Sequence, residues 1–241
     1  MRAVTLRSGK LKLWQPPSFT RVDSYGHNRE DCCWERLNGL LIELIAEDGV
    51  TSMMETAFQH VVGGEWQGTI GRFDEMPNGP IICHGQSASM PFEVTVTKGR
   101  ALYLSYASMV LPSNDAFVAN GDPKAHVVFN RGGNFRFETI IDYGSDILDA
   151  GTEENDEIPE NTPLLGGMVT VDGGTSTENG VVTLHEGFNA RGTNGILDNF
   201  ENADFTVDGY KAMKIEIELD DDSRRRLASM NSSIRGGGAS D

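Results

Sequence analysis

Short segments in which apolar and polar residues alternate occupy much of the chain, and this period of two is typical of β-strands with one buried face. The clearest example is residues 212–219, in which apolar residues alternate with Lys and Glu. Residues 91–97 alternate in the same manner, and residues 100–110 continue the pattern after Lys98 and Gly99. The two earlier segments therefore predict a β-hairpin, and the later one predicts an inward-facing strand that closes the fold.

Other segments give shorter signals. The apolar run at residues 40–45 predicts a strand that is followed by a turn with Gly49 in its most demanding position. Residues 52–62 carry Met, Ala, Phe and Val at helical spacing, which predicts one short helix packed on the core. Residues 63–85 are rich in Gly and Pro and predict a long connection with little regular structure. Further strands are predicted at residues 125–129, 134–142, 168–171 and 181–184.

These elements predict an all-β fold, an antiparallel β-sandwich with one short helix, formed by residues 39–219. Residues 1–38 mix charged, Pro and aromatic residues without a sustained period and predict an irregular N-terminal extension. Residues 220–241 lack a core-facing pattern and predict a disordered tail. A domain of about 180 residues can bury well over half of its unfolded surface, so it forms a core without disulfide bonds.

The charge of the chain limits its partners. It has 20 Lys and Arg against 36 Asp and Glu, a formal net charge of −16. This excess of negative charge repels nucleic acid and anionic membranes. No stretch approaches the roughly 20 apolar residues of a transmembrane helix, and no secretory signal is visible in the basic residues 1–12. We therefore expect no nucleic acid partner and no transmembrane segment.

The three cysteines leave two alternatives open. Cys32 and Cys33 are adjacent, and Cys83 is distant in sequence. No pair has the spacing of zinc ligands. Either Cys83 forms a disulfide with one of the adjacent pair, which requires export, or all three are free thiols.

Two loop segments, residues 112–122 and 149–156, are rich in oxygen ligands. Ca²⁺ prefers six to eight oxygen atoms from carboxylates, amides, backbone carbonyls and water. The predicted ligands are Asp115, Asp149, Glu153 and Asp156, with Asn114 and Asn120 as amide helpers and Asp122 as a further candidate. Gly151 would let the chain turn tightly between Asp149 and Glu153. The alternative is that these acids only cap turns.

Four motifs in this part of the chain resemble the spondin domain, and the resemblance extends from about residue 40 to residue 219. They are Pro-Ser-Asn-Asp-Ala-Phe at 112–117, Asp-Ala-Gly-Thr-Glu at 149–153, Gly-Gly-Thr-Ser-Thr at 173–177 and His-Glu-Gly-Phe at 185–188. The resemblance implies a sandwich related to the calcium- and lipid-binding sandwich of protein kinase C, with a calcium ion at one end of the strands. It also implies a secreted adhesion or ligand-binding role without catalysis.

Two positions depart from the family pattern. Ala116 stands where animal members have Trp, which removes any partner surface built on that aromatic ring. Glu153 replaces an aspartate, which changes the reach of the side chain but keeps its charge. Asp115 and Asp149 match the family's acids directly.

The first hypothesis is therefore a monomeric, secreted or cell-surface, calcium-binding adhesion module whose partner is an extracellular protein or glycan that carries carboxylates. The alternative is a metal-dependent hydrolase that uses the same acidic loops, with His185 or His126 as the base. A third possibility is a purely structural protein without a metal. A histidine at a strand end, such as His185, is more commonly held in a structural hydrogen bond.

Overall fold

The computed structural model describes residues 3–14, 18–25, 39–47, 49–59, 64–70, 82, 85–137, 139–160, 162, 178, 180–200 and 203–235. The strands are β1 (Ala3–Trp14), β2 (Ser18–Tyr25), β3 (Gly64–Ile70), β4 (Ser87–Thr97), β5 (Ala101–Met109), β6 (Ala116–Ala119), β7 (His126–Phe129), β8 (Ile140–Tyr143), β9 (Leu148–Asp149), β10 (Thr183–Leu184) and β11 (Lys211–Leu219). The α-helices are α1 (Gly39–Ala46), α2 (Ser52–Gln59), α3 (Ile196–Asn199) and α4 (Asp221–Arg235), and Gly144–Asp146 forms a 3-10 helix.

In this part of the chain the strands form two antiparallel sheets. One has four strands in the order β4-β1-β11-β8. The other has seven, in the order β10-β9-β6-β5-β2-β3, and β7 pairs with β5 beside β6. Antiparallel strands with few short helices confirm the all-β prediction. None of the described helices is long and apolar enough to span a membrane.

The principal core lies between the two sheets and takes residues from both. Phe92, Val94 and Val96 of β4 are buried, as their alternation with polar residues predicts. Leu102, Leu104 and Tyr106 of β5 belong to the same cluster, together with Met213, Ile215 and Ile217 of β11. Burial of this apolar surface is the main force that holds the sheets together.

The predicted hairpin of β4 and β5 is wrong, although both strands exist. β4 pairs with β1 in the four-stranded sheet, whereas β5 pairs with β2, β6 and β7 in the other sheet. Between them Gly99, at φ 98°, donates its N–H to the carbonyl of Arg131 at 2.8 Å. Alternation indicates which side chains are buried but does not identify the neighbouring strand.

The segment at residues 40–45, predicted as a strand, belongs to helix α1. A short apolar run suits a buried helix as well as a strand, so periodicity alone does not separate the two. Ile45 packs with Met54 of α2 and Ala107 of β5. The two helices therefore cover the outer face of the seven-stranded sheet, and both faces of β5 are buried. The predicted helix at 52–62 is confirmed over residues 52–59 by α2, its last three residues lie outside the described residues, and the predicted turn glycine is confirmed by the φ of 63° at Gly49.

The prediction of an irregular N-terminal extension is wrong for residues 3–14 and 18–25. β1 lies between β4 and β11, and β2 lies between β5 and β3. The register of β1 against β4 shifts between Leu6 and Gly9, so the strand contains a bulge.

The prediction of a disordered tail is also wrong, since residues 221–235 form helix α4. Asp220 begins the helix by accepting the N–H of Ser223, which is an N-cap interaction. Ser223 and Leu227 are buried, and the helix packs beside β1. Most residues of α4 are polar, so its few apolar positions give no clear helical periodicity in the sequence.

Other predictions have mixed outcomes. β3 occupies residues 64–70, inside the segment predicted as a long connection, while β7, β10 and β11 occupy predicted strand positions. The predicted strand at 134–142 is reduced to β8 at its end, preceded by a single bridge between Phe129 and Phe135. The predicted strand at 168–171 and the three cysteines lie outside the described residues.

Candidate functional site

The loop between β5 and β6 carries three polar residues that are buried as deeply as the core. Ser113, Asn114 and Asp115 are exposed by 0%, 1% and 0% of their surface. Ser113 holds the turn, because its hydroxyl donates to the carbonyl of Val110 and accepts the N–H of Ala116 at 3.1 Å. This bracing presents Asn114 and Asp115 to the interior at the start of β6.

The loop that follows β9 closes onto Asp115. The Oδ2 atom of Asp115 accepts the N–H of Thr152 at 2.9 Å, the N–H of Glu153 at 3.1 Å and the Thr152 hydroxyl at 3.2 Å. The backbone also connects the loops, because the N–H of Ala150 donates to the Asp115 carbonyl at 3.2 Å. Asp115 and the loop of residues 149–153 are therefore adjacent, as a cation site formed by both loops requires.

A third loop joins this edge of the seven-stranded sheet. The N–H of Gly180 donates to the carbonyl of Gly151 at 2.7 Å, and the N–H of Glu178 donates to that of Thr152 at 3.1 Å. Gly151 has φ 68°, and a Cβ there would lie 2.7 Å from the backbone nitrogen of Val181. Glycine is therefore required both for the turn, as predicted, and for the close approach of the third loop.

Several buried polar atoms at this edge have no hydrogen-bond partner among the described residues. They are Oδ1 of Asp115 and both Oδ1 and Nδ2 of Asn114. Burial raises the pKa of Asp115, the amides of Thr152 and Glu153 oppose this, and the charge of Asp149 raises it further. A buried carboxylate oxygen without a donor is costly, and a cation would satisfy it and reverse this electrostatic penalty.

Glu178 adds a carboxylate that the sequence analysis did not select. Desolvation and then the charges of Asp149, Asp115 and Glu154 raise the pKa of its exposed side chain. The four carboxylates, which come from three loops, are therefore close enough to repel one another. The sequence offers only a weak signal for Glu178, because it lies in a long Gly- and Thr-rich segment. Nevertheless, no three Asp, Glu, His or Cys side chains of the described residues are grouped closely enough to hold an ion by themselves.

The other predicted ligands are engaged in different ways. Asp149 Oδ1 accepts the N–H of Gly151 at 2.7 Å, and its Oδ2 accepts the side-chain amide of Asn155 at 2.6 Å. Glu153 is buried and reaches Asp115 through its backbone amide. Asp156 accepts the N–H of Ile158 at 2.9 Å, which closes the following turn. Asp149 and Asp156 therefore cap turns, as the alternative interpretation predicted, and Asp149 also contributes charge to the cluster.

The suggested roles of Asn120 and Asp122 are wrong. Both follow β6, whereas Asp115 precedes it, and a strand of four residues separates its ends by about 13 Å. Asn120 Oδ1 accepts the N–H of Tyr106 at 2.8 Å, and its amide donates to the carbonyl of Asp122 at 2.9 Å. Asp122 is exposed and accepts the N–H of Lys124. These two residues shape the opposite end of the strand.

Two further acids, Asp142 and Glu157, are buried for structural reasons. Glu157, at φ 54°, accepts the N–H of Ile196 at 2.9 Å and the N–H of Asn189, so it ties its loop to the start of α3. Asp142 Oδ1 accepts the Tyr106 hydroxyl at 2.7 Å, which joins β8 of one sheet to β5 of the other. Burial raises the pKa of Asp142 to about 6.

The two described histidines have packing roles. His185 Nδ1 accepts the N–H of Gly187 at 3.0 Å, as the structural interpretation predicted, and its ring packs edge-on against Phe188 and Phe205. Desolvation lowers the pKa of His185. The His126 ring contacts the Tyr106 ring in a tilted arrangement with 5.7 Å between centroids, and burial likewise lowers the pKa of His126. His27, His60 and His84 lie outside the described residues.

The fold and the site define an all-β protein of two antiparallel sheets, with a buried polar cluster where three loops meet at one sheet edge. No protein-family model, curated protein or solved structure matches the chain.

Proposed function

We propose that the chain is a calcium-binding, non-catalytic binding or adhesion module of spondin type that acts outside the cell or at its surface. The observation that carries the proposal is the Asp115 side chain, which is fully buried while its Oδ1 atom has no hydrogen-bond partner among the described residues. Nearby acids make that position still more unfavourable for a free carboxylate. A divalent cation removes both costs.

The residues present suit calcium better than a softer metal. Asp115 Oδ1, Asn114 Oδ1 and the acids Asp149 and Glu178 offer hard oxygen atoms, and Ca²⁺ accepts amide and backbone carbonyl ligands together with carboxylates. Amide and carbonyl oxygens are needed in this set, because the carboxylates of the described residues are not grouped closely enough to hold an ion by themselves. Of the other predicted ligands, Glu153 lies in the same loop as Asp149 and donates its backbone amide to Asp115. Asp156 stabilises the turn that follows this loop.

A binding role is favoured over hydrolysis by the state of the histidines. The His185 ring is held by Gly187, Phe188 and Phe205, and its Nδ1 atom is already an acceptor. A general base needs a basic nitrogen within hydrogen-bond reach of a substrate, whereas the other nitrogen of His185, Nε2, has no hydrogen-bond partner among the described residues but is buried away from solvent. A calcium ion at the loop edge would instead order the surface that meets a carboxylate on a protein or glycan partner.

The test is thermal unfolding of the protein in excess chelator and then in millimolar calcium, with magnesium for comparison. A ligand at one hundred times its Kd adds about 2.7 kcal/mol to the free energy of unfolding, which corresponds to about 5–10 °C in a chain of this size. We expect this rise with calcium in the parent protein and its loss in Asp115→Asn and Asp149→Asn.

Asp208→Asn is the matched control, because it removes the same charge from an exposed turn. It should keep the full calcium response. Absence of any calcium-dependent shift in the parent, or an equal shift in all three variants, would contradict the proposal and leave the acids as turn caps.

A further inference from the structure

A concave site lies where the chain passes from β7 in one sheet to β8 in the other. Its volume is about 490 Å³, within the usual range for small-molecule sites. The lining residues are Ala125, His126, Val127, Arg136, Phe137, Thr139, Ile140 and Ile141. None of them belongs to the loops that carry the calcium proposal.

The pocket combines an apolar wall with two nitrogen-bearing side chains. Val127, Phe137 and Ile141 supply hydrocarbon surface that is only half-buried. The His126 imidazole lies against the Tyr106 ring in a tilted contact, and Arg136 is exposed. The lining offers polar and apolar surface in similar amounts, which suits an amphipathic ligand, because its polar group keeps hydrogen-bond partners while its tail leaves water.

Charge determines which amphipathic ligand fits. The chain carries a net charge of −16, yet no ion pair within the described residues engages the Arg136 guanidinium. A planar guanidinium matches a carboxylate with two parallel hydrogen bonds. An arginine that has no ion pair among the described residues and lies beside apolar surface therefore favours an organic anion over a cation or a neutral molecule.

We propose that this pocket binds a small carboxylate with an apolar tail, such as a medium-chain fatty acid. Its carboxylate pairs with Arg136 and its tail lies over Val127, Phe137 and Ile141. The site is independent of the calcium loops, so the failure of either proposal leaves the other standing.

The experiment is isothermal titration calorimetry with decanoate below its micelle concentration. Butyrate tests the need for the tail, and decyltrimethylammonium presents a similar tail with the opposite charge. We expect saturable one-to-one binding of decanoate, much weaker binding of butyrate and none of the cation. Arg136→Gln should weaken decanoate binding about tenfold, or about 1.4 kcal/mol, because the variant loses the charge-assisted hydrogen bonds of the guanidinium.

Two further variants make the result specific. Thr139→Trp fills the pocket from an exposed position and should abolish binding, whereas Arg131→Gln removes a positive charge from an exposed turn outside the pocket and should not change it. Thermal unfolding of each variant checks its fold. Equal binding of decanoate and decyltrimethylammonium, no decanoate binding, or full affinity in Arg136→Gln or Thr139→Trp would overturn the proposal.

Discussion

At the scale of single residues, two buried aspartates illustrate how the same side chain acquires different properties. Asp115 receives three donors on one oxygen, two of them backbone amides. Asp142 receives one, from Tyr106, and its other oxygen has no partner among the described residues. Burial raises the pKa of both carboxyls, but only Asp142 is enclosed between the two sheets, where no second loop supplies amides.

The raised pKa of Asp142 makes stability depend on pH in a defined direction. The pKa rises from 3.8 to about 6 in the folded protein. Between these values the folded state keeps a proton that the unfolded chain has released, so this group lowers the free energy of unfolding as the pH rises from about 4 to about 6. Two pH units correspond to about 3 kcal/mol.

We therefore expect Asp142→Asn to lose this contribution. Urea unfolding at a series of pH values should show the stability of the variant gaining on that of the parent by up to about 3 kcal/mol between pH 4 and pH 7. Asp208→Asn, at an exposed turn, should follow the parent. Parallel profiles for the parent and Asp142→Asn would contradict the assignment.

Gly151 gives a second prediction at this scale. A Cβ at this position would lie 2.7 Å and 2.8 Å from the backbone nitrogen and oxygen of Val181, and its φ is 68°. Gly209 has a similar φ of 73° but open space around it. We expect Gly209→Ala to cost about 1 kcal/mol of unfolding free energy and Gly151→Ala at least about 2 kcal/mol more. Chemical denaturation measures both, and equal losses would show that the third loop does not pack there.

At the scale of elements, the two ends of the chain complete the four-stranded sheet. β1 pairs with β11 on one side and β4 on the other, and α4 packs beside β1. Leu227 of α4 is exposed by only 8% and belongs to the principal core. The C-terminal segment is thus an integral part of the fold.

This arrangement predicts a large effect of one substitution in α4. Leu227→Ala should lower the free energy of unfolding by about 2–4 kcal/mol, because it leaves a cavity in the core. The matched control is Leu184→Ala, since Leu184 is 63% exposed, and its effect should stay within about 0.5 kcal/mol. Guanidinium unfolding monitored by tryptophan fluorescence compares them. A neutral Leu227→Ala would mean that the helix does not dock.

At the scale of the whole molecule, negative charge opposes folding while the sheets hold acids close together. The net charge is −16, and Asp115, Asp149, Glu154 and Glu178 share one edge of the seven-stranded sheet. Dissolved ions screen exposed charges over about 10 Å at 0.1 M ionic strength. A site-bound cation acts on the buried cluster in addition to this diffuse screening.

Salt titrations separate these two effects. The melting temperature should rise with sodium chloride, because screening reduces repulsion throughout the molecule. Calcium chloride at the same ionic strength should raise it further, by about 5–10 °C at saturation, and this excess should disappear in Asp149→Asn. Identical curves for the two salts would indicate screening alone.

The limits of sequence reasoning follow from particular residues. The buried faces of β4 and β11 are predictable because alternation reports burial directly, whereas both faces of β5 are buried and its alternation reveals only one of them. The meeting of Asp115 with residues 149–153 is predictable only from the likeness of two loops to a known pattern. Glu178 and the Tyr106–Asp142 bond give little local signal. The amide of Glu178 bonds to the carbonyl of Thr152 in a distant loop, and Tyr106 bonds to a residue of the opposite sheet.

The sequence by itself determined the all-β class, the buried faces of the main strands, the glycines at Gly49 and Gly151 and the acidic character of the chain, because each depends on local periodicity, local backbone freedom or composition. Only the tertiary structure decided that β4 and β5 lie in different sheets, that residues 40–45 and 221–235 are helical, and which acids are buried. These outcomes depend on long-range packing, in which a segment takes the conformation that buries its apolar side chains against distant neighbours.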